Sequence, residues 1–128
     1  MNSITFKGIV TTGEGKGKKY LALPWVTQQI EEKLGLTPFL GTLNLKLTKE
    51  CAKQKKLLAK AKSVTIRPAE GYCVGLLINA LTEGLECAVV VPQVEGYPEN
   101  LLEIIASVNL RDSLKLEDGD TVTVSVNV

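Results

Sequence analysis

Residues 40–47 read LGTLNLKL. Leucine recurs at every second position from Leu43 to Leu47, and Thr42, Asn44 and Lys46 project from the opposite side. A period of two marks a strand with one face in a core and the other in water. The same rhythm opens the chain at 4–12 (ITFKGIVTT) and closes it at 120–127 (DTVTVSVN). Aliphatic and β-branched runs predict further strands at 63–67, 72–82, 85–92 and 101–107, and YLAL at 20–23 predicts one more. Pro24 opens a helix over 24–34 that Gly35 ends, and Thr48 caps a second helix over 49–61. A short turn of helix at 109–114 leads to Asp118-Gly119, a hairpin signal ahead of the last strand. Many short strands, two modest helices and no strand–helix alternation argue for a compact, mainly antiparallel barrel. No repeat, low-complexity tract or linker divides it, so residues 1–128 read as one domain.

Composition narrows the chemistry. A chain of 128 residues, 45% of them hydrophobic, can build a core without disulfides or a metal. No apolar run reaches the roughly 18–20 residues that a membrane-spanning helix needs. The alternating N-terminus reads as a strand and not as a leader, which points to a cytoplasmic protein. Histidine is absent, which removes His-based triads and the common zinc sites. Cys51, Cys73 and Cys87 contain no C-x-x-C pair and read as small buried hydrophobes. The net charge of +1 conceals an asymmetry: residues 1–64 hold 12 Lys against 4 Glu, and residues 65–128 hold 3 basic against 10 acidic groups. The sum excludes a globally basic nucleic-acid binder but leaves room for a local phosphate site.

Four segments carry candidate chemistry, each with an ordinary alternative. Gly13-Glu14-Gly15-Lys16-Gly17, followed by Lys18, Lys19 and Tyr20, lets a phosphate approach main-chain amides, or is a flexible hairpin loop with solvated lysines. It is not a Walker A loop, because G-x-x-x-x-G-K-[ST] is absent, and it fails the dinucleotide fingerprint because the expected element after it is a strand. Thr42 and Asn44 are neutral oxygen donors at i and i+2 on one strand face. They suit Mg²⁺, which takes few protein ligands and completes its octahedron with phosphate and water, or they decorate a wet face. Glu103, inside the apolar run LLEIIA (101–106), needs a partner or a solvated position, since a lone buried carboxylate is costly. Arg111, in VNLRDS (108–113), makes a phosphate or base clamp or a surface ion pair. The seven lysines between Lys46 and Lys62 form a solvated face or steer an anionic substrate.

The order and spacing of these segments carry more than any one of them. G-x-G-x-G-x-x-Y, then L-A-L-P, P-F-x-G-T-L-N-L-K-L, V-V-P, L-E-I-I-A and a closing L-R-x-x-L-x-L-x-D-G-D together resemble the archaeal CTP-dependent riboflavin kinase family. The resemblance runs from about Gly8 to Val126, and its G-T-L-N strand and closing segment are its most specific parts. It implies a mainly β fold, a small six-stranded cradle-loop barrel with two short helices. It also implies transfer of the γ-phosphate of CTP to the 5′-hydroxyl of riboflavin, giving FMN and CDP with Mg²⁺.

By the same resemblance, Glu14, Gly15, Lys16, Gly17, Lys18 and Lys19 contact the cytidine nucleotide, as do Val108, Asn109, Leu110, Arg111, Asp112 and Ser113. Thr42 and Asn44 match the magnesium ligands. Glu103 matches a flavin contact and is the candidate to orient or deprotonate the acceptor hydroxyl. A second flavin contact in the family is a threonine, where this chain carries Glu95, so the flavin-side loop 93–100 departs from the pattern. The extra N-terminal DNA-binding domain of some members is not expected here, and the implied protein is a monomer that binds neither nucleic acid nor membrane. The rival reading from another class is a non-enzymatic β-barrel module that binds nucleic acid through the lysine-rich helix. Such a module has no use for the G-T-L-N strand or for Glu103.

Overall fold

The computed structural model describes residues 3–13, 16–69, 71, 74–93 and 96–127, with the side chains of 16–18 outside the description. Strand β1 spans Ser3–Thr11, followed by helices α1 (Lys16–Leu21) and α2 (Pro24–Leu34). Strand β2 (Leu43–Leu47) leads into α3 (Lys49–Gln54), which tightens into a 3-10 stretch over Lys55–Lys60. Then come β3 (Ser63–Ile66), β4 (Gly75–Thr82), β5 (Leu85–Pro92), β6 (Leu101–Ile105), α4 (Leu110–Ser113) and β7 (Thr121–Asn127). All strand pairings are antiparallel, in the order β4-β5-β6-β2-β1-β7. Pairing of Ala80–Thr82 with Val124–Val126 closes the ring, so the barrel has six strands and no free edge around its circumference. Strand β3 lies outside that ring, on the Gly75–Ile78 part of β4.

The alternation in the sequence sets which faces turn inward. Ile4, Phe6 and Val10 of β1, the three leucines of β2, and Val122, Val124 and Val126 of β7 are all buried in one cluster with Leu102, Ile104 and Val89. Thr82, buried among them, donates its hydroxyl to the Thr123 carbonyl at 2.9 Å, which spares it an unmet hydrogen bond. A second apolar layer covers the outer face of β4, β5 and β6, where Leu21, Val26 and Ile30 of the two helices meet Ile66, Leu77, Ala88 and Ile105. That layer explains the unbroken buried run Cys87–Val90: β5 is covered on both faces.

Most expected elements stand within a few residues of where patterning put them, including the Gly35 helix end (φ 66°) and the Thr48 cap, whose hydroxyl accepts from the Cys51 amide. Residues 20–23 differ. They belong to α1 and the turn into α2, so the strand expected there is corrected to helix. Leu21 is fully buried against Val26 and Ile30, Tyr20 meets Trp25 edge-on at 6.0 Å, and a four-residue YLAL is too short to carry a period. The glycine-rich segment therefore runs into a helix, whose first residues are Lys16 and Gly17, and not into a strand. Asp118-Gly119 makes a turn but no hairpin: it joins α4 to β7 and docks on β1, with Gly119 N–H donating to the Val10 carbonyl at 2.9 Å. The tight hairpin is at Glu83-Gly84 between β4 and β5, where both residues take positive φ (46° and 82°).

Candidate active site

The inward leucines of β2 force Asn44 onto the outer face of the barrel, where it is half-buried. Glu103 reaches the same face from β6 because Leu102 and Ile104 beside it point into the core. The antiparallel register then sets Asn44 and Glu103 directly opposite one another, with Val90 of β5 on the far side of Glu103. Two residues 59 positions apart in sequence thus become cross-strand neighbours, close enough to share a ligand.

Gly13 lies over this pair from the end of β1. A Cβ added there would stand 2.5 Å from Asn44 Nδ2 and 3.0 Å from its Cγ, so only glycine admits this approach without moving the amide. Gly13 does not take a positive φ, and its missing Cβ serves a close contact with a side chain. Thr42, half-buried and just ahead of β2, opens onto a cavity of about 130 Å³ lined also by Phe39, Val108, Asn109 and Arg111. Phe39, Leu40 and Val108 are large apolar side chains left exposed around this cavity.

The turn after β6 is held to the same place. Asn109 caps α4 by accepting from the Asp112 amide at 3.3 Å, while Leu110 sinks into the core. Arg111 Nη2 donates to the Thr11 carbonyl at 3.1 Å and to Asp118 Oδ1 at 2.6 Å, and the Thr12 hydroxyl donates to Asp118 Oδ2 at 2.6 Å. These donated hydrogen bonds hold the Asp118 carboxyl below the ordinary carboxylate range. The clamp ties α4 to the strand end that carries Gly13, although it also commits part of the Arg111 guanidinium to Asp118. Asp112 and Ser113 are exposed.

Glu103 has a partner that patterning did not single out. Tyr97 donates its phenol to Glu103 Oε1 at 2.8 Å, and Lys55 stands over the Tyr97 ring with Nζ 5.2 Å from the centroid. The same amine donates to the Leu101 carbonyl at 2.9 Å and, longer, to that of Pro98 at 3.5 Å. Burial, with the Glu103 hydrogen bond added, raises the Tyr97 pKa, so the phenol stays protonated and a donor. Burial lowers that of Lys55, against the pull of Glu99 and Glu103. Lys46, Lys49, Lys53, Lys56, Lys60 and Lys62 are exposed, which leaves Lys55 as the half-buried exception in that run. An aromatic six residues before the lone acid of β6 was the available signal.

Thr42, Asn44, Glu103, Asn109 and Arg111 therefore gather on one side of the barrel with Gly13. Glu14, Gly15 and Glu95 lie outside the described residues, as do the side chains of Lys16, Gly17 and Lys18; Lys19 is exposed on α1. Cys73 also lies outside them, Cys51 is half-buried, and burial pushes the Cys87 thiol up to about 12. Among the described residues no group of three or more Cys, Asp or Glu could hold a metal. Thr42 and Asn44 still fit a hard cation of few protein ligands, since their donors are uncharged oxygens beside a carboxylate. A larger cavity of about 440 Å³, between the end of α2 and β4, β5 and β7, holds none of the nominated residues. No helix among the described residues is long and apolar enough to cross a membrane.

The closed six-stranded antiparallel barrel thus carries a composite polar face on the outside of its wall. Residues 10–126 match the model for the CTP-dependent riboflavin kinase domain, described as "Domain of unknown function DUF120", and the chain belongs to that family. It is 35% identical to a riboflavin kinase of Methanosarcina barkeri over 98% of this chain and 58% of that one. The riboflavin kinase of Ignicoccus hospitalis is 37% identical over 96% of this chain and 71% of its own, and that of Pyrobaculum aerophilum 40% identical over 97% and 61%. The chain thus spans little more than half the length of some relatives it matches.

Proposed function

We propose that this chain is a riboflavin kinase that transfers the γ-phosphate of CTP to the 5′-hydroxyl of riboflavin, yielding FMN and CDP. The observation that carries the reading is the cross-strand pair Asn44–Glu103 with Gly13 lying on it, in a family whose relatives are named riboflavin kinases. Phosphoryl transfer asks chiefly for alignment of donor and acceptor and for neutralised charge. Residues 14–19 and the 108–113 turn would hold the nucleotide, the first through main-chain amides and lysines. Thr42 and Asn44 would hold Mg²⁺, which supplies charge neutralisation on the phosphates when bound. Glu103 would accept a hydrogen bond from the ribityl hydroxyl and take its proton as the oxygen attacks the γ-phosphorus and the bond to CDP breaks. Glu95 would lie on the flavin side, in a loop that meets its ligand differently from the family's threonine.

The proposed setting is the cytoplasm, with residues 1–128 acting as one monomeric domain that needs neither nucleic acid nor membrane. Exposed lysines along α3 are what a nucleic-acid module would offer, but that reading gives the Asn44–Glu103 pair no role. Thermal melts separate the two. CTP with Mg²⁺, and FMN, should each raise the melting temperature, because a ligand that binds only the folded state stabilises it. ATP at the same concentration should do so less. A protein stabilised by DNA at low salt, and by neither CTP nor FMN, would belong to the rival class.

A further inference from the structure

Glu103 is half-buried between the apolar Val90 and the Asn44 amide, and a carboxylate there can rotate unless something holds it. One oxygen is held. Oε1 accepts from the Tyr97 phenol at 2.8 Å, and among the described residues no donor is recorded for the other oxygen. Tyr97 reaches Glu103 because residues 96–100 lie back against the barrel wall. Gly96 takes φ 82°, the Leu101 amide donates to the Pro98 carbonyl at 3.3 Å, and the Leu47 amide donates to that of Asn100 at 2.7 Å. From the other side, Lys55 donates to the carbonyls of Leu101 and Pro98 and covers the ring face. The Lys55–ring contact is the geometry of a cation–π pair, which is stronger where water is partly excluded. The charged and titratable groups around this cluster are Glu99 and Glu103 beside Lys55, and the phenol itself.

We infer that Tyr97 is a positioning residue for Glu103: its phenol fixes one carboxylate oxygen, which turns the other toward the acceptor hydroxyl, while Lys55 locks the ring in place. This rests on the reading of Glu103 as the group that meets the acceptor. A phenol that stays protonated suits the task, since it donates one hydrogen bond and does not compete for the substrate's proton. The device also couples the lysine-rich segment to the site through its half-buried member, a use independent of the exposed lysines around it.

The test is a double-mutant cycle on riboflavin phosphorylation. Tyr97→Phe keeps the ring and its contact with Lys55 and removes only the donor. It should lower kcat about tenfold and leave KM for CTP within about twofold of the parent, with an unchanged melting temperature. In a Glu103→Gln background, already slowed by about two orders of magnitude, the same change should cost nothing further, because Tyr97 acts through Glu103. Lys55→Met, which frees the ring from the other side, should lower kcat in the same direction and also lose its effect in the Glu103→Gln background. Parental kcat in Tyr97→Phe, or an equal loss in both backgrounds, would overturn the inference while leaving the kinase reading standing. Parental kcat in Glu103→Gln alone, or a parent that does not phosphorylate riboflavin, would remove the kinase role of Glu103 and the inference with it.

Discussion

At the scale of single residues, the proposed magnesium ligands make the sharpest demand. Thr42 and Asn44 stand on the outer side of β2, away from the core that Leu43, Leu45 and Leu47 build, so truncating either should change stability by no more than about 1 kcal/mol. Mg²⁺ demands near-ideal octahedral geometry, so each truncation should still lower turnover on the order of a hundredfold at limiting Mg²⁺. Gly13→Ala extends the argument to a residue that acts through the Asn44 side chain. Its added Cβ would meet the Asn44 amide at 2.5 Å, and a side-chain end can swing aside more easily than backbone. Folding should therefore persist while turnover falls toward that of Asn44→Ala. Titrating activity against Mg²⁺ for the three variants checks this, and near-parental turnover in Asn44→Ala would show that the amide holds no metal.

At the scale of elements, the clamp between α4 and the end of β1 decides whether the 108–113 turn, proposed to hold the nucleotide, stays in place. A four-residue helix has little stability of its own, so Leu110 in the core and Arg111 on Asp118 and Thr11 hold it. The Asp118 carboxyl titrates below its ordinary value because Thr12 and Arg111 donate to it. A carboxyl whose folded pKa is depressed adds stability above its unfolded value, about 3.9, and loses it as pH falls through the folded value. The melting temperature of the parent should therefore exceed that of Asp118→Asn at pH 6, and the gap should close as the pH falls below about 4. The difference will be small, since Asp118 is exposed and its bonds are screened by water. A gap that widens toward low pH would mean that the clamp is not what stabilises the turn.

At the scale of the molecule, periodicity carried most of the fold. Strands β1, β2, β5 and β7 and helix α2 were legible because each has either a clean period or a marked end, as at Pro24 and Gly35. What escaped was set by tertiary contact. Leu21 commits 20–23 to helix by packing under α2, and the closure of β4 on β7 is a pairing between segments more than 40 residues apart that no local pattern encodes. The same holds at the site. Thr42, Asn44 and Glu103 could be named from residue type and spacing, but that Glu103 would stand opposite Asn44 depends on the register of β2 on β6. Lys55 and Tyr97 were hidden more deeply, one within a run of solvated lysines and the other in a turn, because what distinguishes them is the fold that brings them together.

The central claim is that this barrel moves a phosphoryl group from CTP to riboflavin. Incubating purified protein with riboflavin, Mg²⁺ and either CTP or ATP, and following FMN formation by chromatography, tests it in one step. FMN and CDP should form in equal amounts with CTP, and far more slowly with ATP. Equal or faster turnover with ATP would contradict the donor assignment, and no FMN with either nucleotide would contradict the kinase.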